Sequence, residues 1–278
     1  MTWFNIANVR EKIRTLPAAL EEALSENSAT AGLARGPGHL ATDFARDVKV
    51  VSKSKLPDKV GFSLVEGQAR LLHDLGSIEL QAMELGYRTL IEFPEAPREF
   101  REQLAEVTLG EARHLGLCLD GIERLGFEWG NWPVHIALLQ SVSHDDSLLD
   151  RILIVHRYLE GSGLDAADGI VKKLNGVRAD VARPVMQTIL SEEVDHVLFG
   201  SRWYHKICEE LKLDVSDDFK VRIAKIMEKA PRSERINERL RLAAGFTPDE
   251  IEFLKQNSFH GRAMAAAQAR SEAAAKAL

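Results

Sequence analysis

Residues 191–200 read SEEVDHVLFG and place two glutamates, an aspartate and a histidine inside an otherwise apolar stretch. The segment VMQTIL precedes them, and the apolar run continues through VLFGSRWY. Removing water from an ionised carboxylate costs several kcal/mol or more unless a partner compensates the charge. These acidic groups must therefore face water or share a positive charge.

The composition is that of an ordinary globular protein. The 278 residues are 45% apolar and 28% charged, which is enough for a substantial core and one or two domains. The net charge of -6 argues against a phosphate-binding surface, so nucleic acid is not the expected partner. The cysteines, Cys118 and Cys208, lack any CxxC spacing and are expected to be buried fillers in a reducing compartment.

No leader or membrane segment is expected. The N-terminus, MTWFNIANVREKIR, lacks a basic region followed by an apolar run and a cleavage site. No run of about 18 consecutive apolar residues occurs in the chain. We therefore expect a cytoplasmic protein that does not enter the membrane.

Apolar residues recur with a helical period nearly everywhere, and no segment alternates as a strand would, so the sequence predicts an all-α protein. Four long helices are predicted over residues 63–88, 98–125, 134–160 and 177–211, and their lengths and connections favour an antiparallel four-helix bundle. The predicted helices cover residues 1–30 with a break or restart at Pro17, 63–88 opened by a capping box of Ser63 and Glu66, 98–125, 134–160 ending at EGSGLD, and 177–211 with Pro184 in its first turns.

The chain is predicted to have three regions. An N-terminal helix and connector cover residues 1–60, and the bundle covers 61–211. An extension over 212–278 is predicted to hold a helix near 218–230 and a capped helix start at TPDE. Its alanine-rich tail is expected to form a surface or partner helix, or to fray.

Two segments share the spacing ExxH. Glu111 and His114 lie in GEARHLG, and Glu193 and His196 lie in EEVDHVLFG. Residues three apart share one face of a helix, so the carboxylate and the imidazole of each pair can reach the same metal ion. Two such pairs are not far above chance for this composition, so the direction in which each glutamate points has to carry the argument.

Helical periodicity places one glutamate of each long helix on its apolar face. Glu79, Glu111, Glu160 and Glu193 all point inward, whereas Glu84 is predicted to point outward. The order Glu, ExxH, Glu, ExxH is the pattern by which a four-helix bundle holds two metal ions in its core. Two divalent cations would balance the charge of four buried carboxylates.

Carboxylate and imidazole ligands suit iron or manganese, whereas zinc would more usually take fewer ligands with thiolates or additional histidines. We therefore predict two iron ions, or a manganese and iron pair, as the cofactor. The two ExxH glutamates, Glu111 and Glu193, are also predicted to be catalytic. The predicted metal ligands are Glu79, Glu111, His114, Glu160, Glu193 and His196.

Three further residues are candidates for the surroundings of the metals. Glu192 precedes a ligand glutamate and either orients a histidine from another helix or is a partly exposed helix acid. His156 and His73 are favoured as hydrogen-bonded core histidines over additional metal ligands. Asp195 is expected to face solvent or to pair with Arg202.

The chain resembles the ferritin-like superfamily, and more closely an uncharacterised bacterial ferritin-like family. The resemblance covers roughly residues 60–250 and rests on HDLGSIELQAMEL, EAPREF, GEARHLGLCLDGIERLGFEWGNWPVH, LEGSGLD, EEVDHVLFGSRWY and RLAAGF, which occur in the family's order. It implies kinship with di-iron tRNA hydroxylases and, more distantly, with rubrerythrin and di-iron monooxygenases. The segment LEGSGLD departs from the pattern of that family, in which an alanine and a basic residue would be expected after the glutamate.

The expected activity is that of a non-haem di-iron oxidase or hydroxylase acting on a small or tethered organic substrate with dioxygen and an electron donor. An iron-binding or peroxide-scavenging protein without organic substrate is the main alternative. Hydroxylation of a tRNA base is a further one, and a bundle without redox function is disfavoured by its buried acids. A homodimer is left open.

Overall fold

The computed structural model describes residues 3–25, 44–229 and 235–258. Over these ranges all regular structure is helical, and an isolated bridge between Val50 and Val134 is not extended into a strand. The prediction of an all-α protein is therefore confirmed. No helix within the described part of the chain has the length and apolarity required to cross a bilayer.

The longest helices are α2 (Val65–Glu92), α3 (Arg98–Arg124) and α6 (Ala182–Glu210). A π-helical segment at Leu153–Glu160, called here the π segment, joins α4 (Leu148–Ile152) to α5 (Gly161–Asn175) without a break. The other α-helices are α1 (Val9–Leu24), α7 (Val215–Lys229), α8 (Glu238–Ala243) and α9 (Pro248–Asn257).

Two of the three sequence signals for a helix start agree with the structure. Thr247 and Glu250 form a reciprocal capping box at the start of α9, as TPDE predicts. Pro184 lies in the first turn of α6. The capping box predicted at Ser63 and Glu66 is wrong, because α2 begins at Val65 with Leu64 as its N-cap and has no side-chain cap.

The helix predicted over 134–160 is placed wrongly. It begins at Leu148 and continues through EGSGLD to Asn175. Gly161 lies inside the helix, and its missing side chain leaves room for Arg241: a Cβ at Gly161 would lie 2.3 Å from Nη1 of Arg241. The hydroxyl of Ser162 donates to the carbonyl of Tyr158 at 2.6 Å, which further supports the helix here.

The first helix is also continuous where a break or restart was predicted. α1 runs through Pro17, whose side chain is exposed. Residues 26–30 of that predicted helix and the alanine-rich tail lie outside the described residues. The helix predicted over 98–125 is confirmed as α3, and the one near 218–230 is confirmed as α7.

Two compact units are found. The first comprises Met1–Arg151 and Val171–Ile189, and the second comprises Ile152–Ile170 and Leu190–Leu278. In the first unit α2 and α3 pack in antiparallel fashion, and α1 packs on both. In the second unit the π segment packs on α7, and α7 and α8 pack on α9. The three-region domain organisation stays a prediction.

Glu84 of α2 is fully buried, so the prediction that it points outward is wrong. Nζ of Lys12 lies 2.6 Å from one of its carboxylate oxygens, and Arg46 pairs with both oxygens. α1 and the segment that carries Arg46 cover this face of α2 and bring the compensating cations with them. Burial lowers the pKa of Lys12, although the charge of Glu84 opposes the shift.

Candidate metal centre

In the first unit, α2 and α3 bring Glu79 together with Glu111 and His114. All three side chains are at most 5% exposed. Nδ1 of His114 lies 3.7 Å from Oε2 of Glu79 and 3.9 Å from Oε2 of Glu111. Metal–ligand bonds of about 2.0–2.2 Å place two ligands of one ion about 3–4 Å apart, so these distances suit ligands of a shared ion.

In the second unit, α6 presents the other ExxH pair. Nδ1 of His196 lies 3.4 Å from Oε1 of Glu193, and the two side chains are 9% and 13% exposed. Asp195, which points to another face of the helix, is exposed, as expected for a residue that faces solvent. The helical period thus separates the buried ExxH pair from the neighbouring acid.

The π segment of the second unit carries His156 and Glu160. Nδ1 of His156 lies 2.9 Å and 3.0 Å from the two carboxylate oxygens of Glu160. His156 is 3% exposed, and its ring lies edge-on to Phe199 of α6 at a centroid distance of 5.1 Å. π-helical turns occur frequently at functional sites, where they redirect individual side chains.

The two ExxH pairs form one cluster of ligand atoms. One atom each from Glu111, His114, Glu193 and His196 lies within 4.8 Å of the others, and three of these residues are buried while Glu193 is half-buried. The group leaves out the other two predicted ligands. Glu79 lies beside His114, and Glu160 is bonded to His156.

This Glu/His cluster could hold a metal ion. Carboxylate oxygens supply negative charge to a divalent cation, and imidazole nitrogens are good donors to iron, zinc, copper and nickel. Buried carboxylates also need a positive charge in their neighbourhood, because an uncompensated one would be strongly destabilising. The donor set therefore fits a transition metal.

Neither cysteine adds a thiolate to such a site. Cys118 and Cys208 are both buried and carry free thiols, in agreement with the prediction that they are fillers. Burial raises the pKa of the Cys118 thiol well above its usual value and that of Cys208 to about 11. Both thiols are therefore protonated near neutral pH, and neither belongs to the cluster of ligand atoms.

His73 is a hydrogen-bonded core histidine, as the sequence favoured. Its Nε2 accepts from the backbone N–H of Gly130 at 3.1 Å, and its ring stacks on Trp129 with centroids 4.7 Å apart. Burial lowers its pKa to about 4, so the imidazole is neutral at physiological pH. Glu192 is half-buried, and its role in orienting a histidine stays a prediction.

Gly200 is a functional candidate that the sequence reasoning did not single out. A Cβ at Gly200 would lie 2.4 Å from Cβ of His156, so α6 can approach the π segment this closely only because position 200 has no side chain. A lone glycine inside a helical pattern is the available sequence signal for such an approach.

The fold and the site define an all-helical protein with a buried Glu/His cluster suited to a metal ion. The chain belongs to the family described as "Protein of unknown function (DUF455)", whose profile matches residues 5–252. It is 30% identical over 221 residues to an uncharacterized protein of Haemophilus influenzae, with 76% of this chain and 75% of the relative covered. No solved structure gives a significant match.

Proposed function

We propose that the chain is a ferritin-like protein that binds two metal ions in the core of a four-helix bundle, with iron at both positions or manganese and iron. The observation that carries the proposal is the cluster of four ligand atoms within 4.8 Å. The proposed ligands are Glu79, Glu111, His114, Glu160, Glu193 and His196.

Charge balance supports two ions over one. The proposed set contains four carboxylates, which carry about four negative charges when ionised, and two divalent cations neutralise them. The position of Glu79 supports this proposal, since its Oε2 lies 3.7 Å from Nδ1 of His114, a proposed ligand. Glu160, which is hydrogen-bonded to His156, is included on the strength of the sequence pattern.

We further propose that the protein is an oxidoreductase that uses dioxygen to oxidise or hydroxylate an organic substrate with electrons from an external donor. When bound, a pair of iron ions supplies redox chemistry with dioxygen. The chain's own contribution is to hold the ligand atoms in a dry environment: Leu115 and Cys118, on the same face of α3 as Glu111, are fully buried. Glu111 and Glu193 are the proposed catalytic residues.

Anaerobic loading with ferrous iron followed by exposure to air tests the reaction class. A transient near-ultraviolet or visible chromophore is expected from the wild type and should be absent from Glu111→Ala and Glu193→Ala. Glu106→Ala on α3 and Asp195→Ala on α6 are matched controls, because both side chains are exposed on the same helices. A wild-type protein that binds iron without any spectral change in air would contradict the proposed reaction class.

The loaded protein also separates this function from its alternatives. Rapid consumption of peroxide without an oxidised organic product would assign the cluster to peroxide or iron handling. RNA binding that weakens steeply with salt, followed by base hydroxylation, would assign it to tRNA modification.

A further inference from the structure

Two buried ion pairs in the second unit lie outside the proposed ligand set. Arg157 of the π segment donates from Nη1 and Nη2 to the two carboxylate oxygens of Glu250 in α9, at 2.9 Å and 2.8 Å. Both side chains are at most 1% exposed. Arg241 of α8 pairs with Asp165 of α5 at 2.6 Å, and both of these side chains are 2% exposed. Buried charges that lose such partners are strongly destabilising, so each pair fixes the elements that carry it.

The guanidinium of Arg157 is also enclosed by aromatic rings. Its Cζ lies 5.0 Å from the ring centroid of Tyr204, 4.9 Å from that of Phe219 and 4.3 Å from that of Phe246. Cation–π contacts of this kind strengthen when the cation is desolvated. Burial raises the pKa of Glu250, but His205, whose Nε2 lies 3.7 Å from Oε1 of Glu250, and the two hydrogen bonds from Arg157 outweigh it and hold the pKa at about 2, so the carboxylate stays ionised.

Arg241 reaches the backbone of the π segment as well as Asp165. Its Nη1 donates to the carbonyl of Arg157 at 3.0 Å. Its guanidinium occupies the space beside Gly161, the residue that directly follows Glu160. One member of each ion pair thus lies near Glu160 in sequence: Arg157 precedes it, and Asp165 follows it.

A π-helical segment needs such support because it is a rare conformation and is found mostly as single turns. A π-helical turn contains one more residue than an α-helical turn. If the π segment lost that extra residue from its turn, the side chains after it would rotate about the helix axis by about 100° relative to α4, which is the rotation of one helical residue. Glu160 would then no longer point where the π segment now directs it. The conformation that places Glu160 is therefore tied to contacts made by α8 and α9.

We propose that Arg241 and Glu250 are positioning residues that hold the π segment in the geometry that presents Glu160 to a metal ion. This inference rests on the proposed function, because Glu160 is a ligand only if the chain binds the metal pair. It gives the C-terminal helices α8 and α9 a role in the metal centre although they carry no proposed ligand.

Two variants and one control test the proposal. Glu250→Gln keeps the shape of the side chain but removes the charge that faces Arg157. Arg241→Lys is milder, since it keeps a cation beside Asp165 but replaces with a single nitrogen the two nitrogens that reach Asp165 and the carbonyl of Arg157. Lys255→Ala removes the partly exposed ion pair with Glu238, which also joins α8 and α9, and is the matched control.

The first measurement uses the metal-free protein. Amide hydrogen exchange over residues 153–162 should speed up by roughly tenfold or more in both variants, because opening of the π segment becomes easier. The Lys255→Ala chain should exchange at the wild-type rate. Unchanged exchange in Arg241→Lys, with near-ultraviolet circular dichroism showing a folded chain, would overturn the proposal.

The second measurement is iron binding in competition with a ferrous chelator. Both variants should lose one of two bound iron ions, or hold it about tenfold more weakly, whereas the control should not change. If the wild type binds two iron ions and both variants bind them equally well, this inference fails and the proposed function stands. If the wild type binds no iron, the proposed function fails, while the exchange measurement still decides whether α8 and α9 hold the π segment.

Discussion

Gly200 and His156 lie in closer contact than a side chain at position 200 would permit: a Cβ on Gly200 would lie 2.4 Å from Cβ of His156. His156 in turn binds both carboxylate oxygens of Glu160 through Nδ1. The glycine of SEEVDHVLFG is therefore a packing residue of the second unit. It sets how closely α6 approaches the π segment.

Gly200→Ala is expected to destabilise the protein by about 1–3 kcal/mol, because a methyl group inserted into a packed contact forces neighbouring atoms to shift. The free energy of urea unfolding measures the effect. Gly163→Ala is the matched control: Gly163 is helical and exposed, and a Cβ there meets nothing within 4 Å. That substitution should stabilise the protein by up to about 1 kcal/mol. Equal effects of the two substitutions would contradict the close contact.

Glu84 and Glu79 are both buried in α2 but are expected to respond differently. Glu84→Gln should cost about 3–5 kcal/mol of unfolding free energy, because it leaves Lys12 and Arg46 buried without their counter-charge. The folded Glu84→Gln protein should keep its iron. Glu79→Gln should instead reduce bound iron. Chemical denaturation together with metal analysis distinguishes the two residues, and loss of iron in Glu84→Gln alone would reverse the assignment.

The stability should depend on pH through His73. Its folded-state pKa is about 4, against an ordinary value of 6.5, so the unfolded chain takes up the proton first as pH falls. The free energy of unfolding should therefore decrease between about pH 6.5 and about pH 4. His73→Gln should reduce this slope. Urea unfolding at several pH values measures the slope, and an unaltered slope in His73→Gln would contradict the burial of that imidazole.

The two cysteines should be unreactive in the folded protein. Both are buried, and burial raises the pKa of each thiol, so thiolate is scarce near neutral pH. Alkylation with iodoacetamide followed by mass spectrometry should modify neither in native buffer and both in urea. Fast modification of Cys118 under native conditions would place it nearer to solvent than the structure does.

Periodicity predicted much of the helical framework because apolar residues on α2, α3 and α6 follow the period of a helix that packs on one side. It failed for Glu84 because that face of α2 is covered by elements distant in sequence. The cations that compensate Glu84 come from α1 and from the segment after residue 43. The sequence of a single helix does not reveal which distant elements cover its polar face.

The π segment was beyond sequence reasoning for a related reason. Glycines 161 and 163 resemble a helix end, yet one of them packs against Arg241 and the other is exposed within a continuing helix. The partners that support the π segment, Arg241 and Glu250, lie 84 and 93 residues further along the chain than Arg157, so no local pattern contains them. The ExxH spacings were accessible because each pair is contained within one helical turn.

The most direct measurement is the iron content of the anaerobically loaded protein. We expect about two iron ions per chain in the wild type and a clear loss in Glu111→Ala and Glu193→Ala, with Glu106→Ala and Asp195→Ala unchanged. A wild-type chain that binds no iron or manganese, or alanine variants that keep their full metal content, would contradict the assignment of these glutamates as metal ligands.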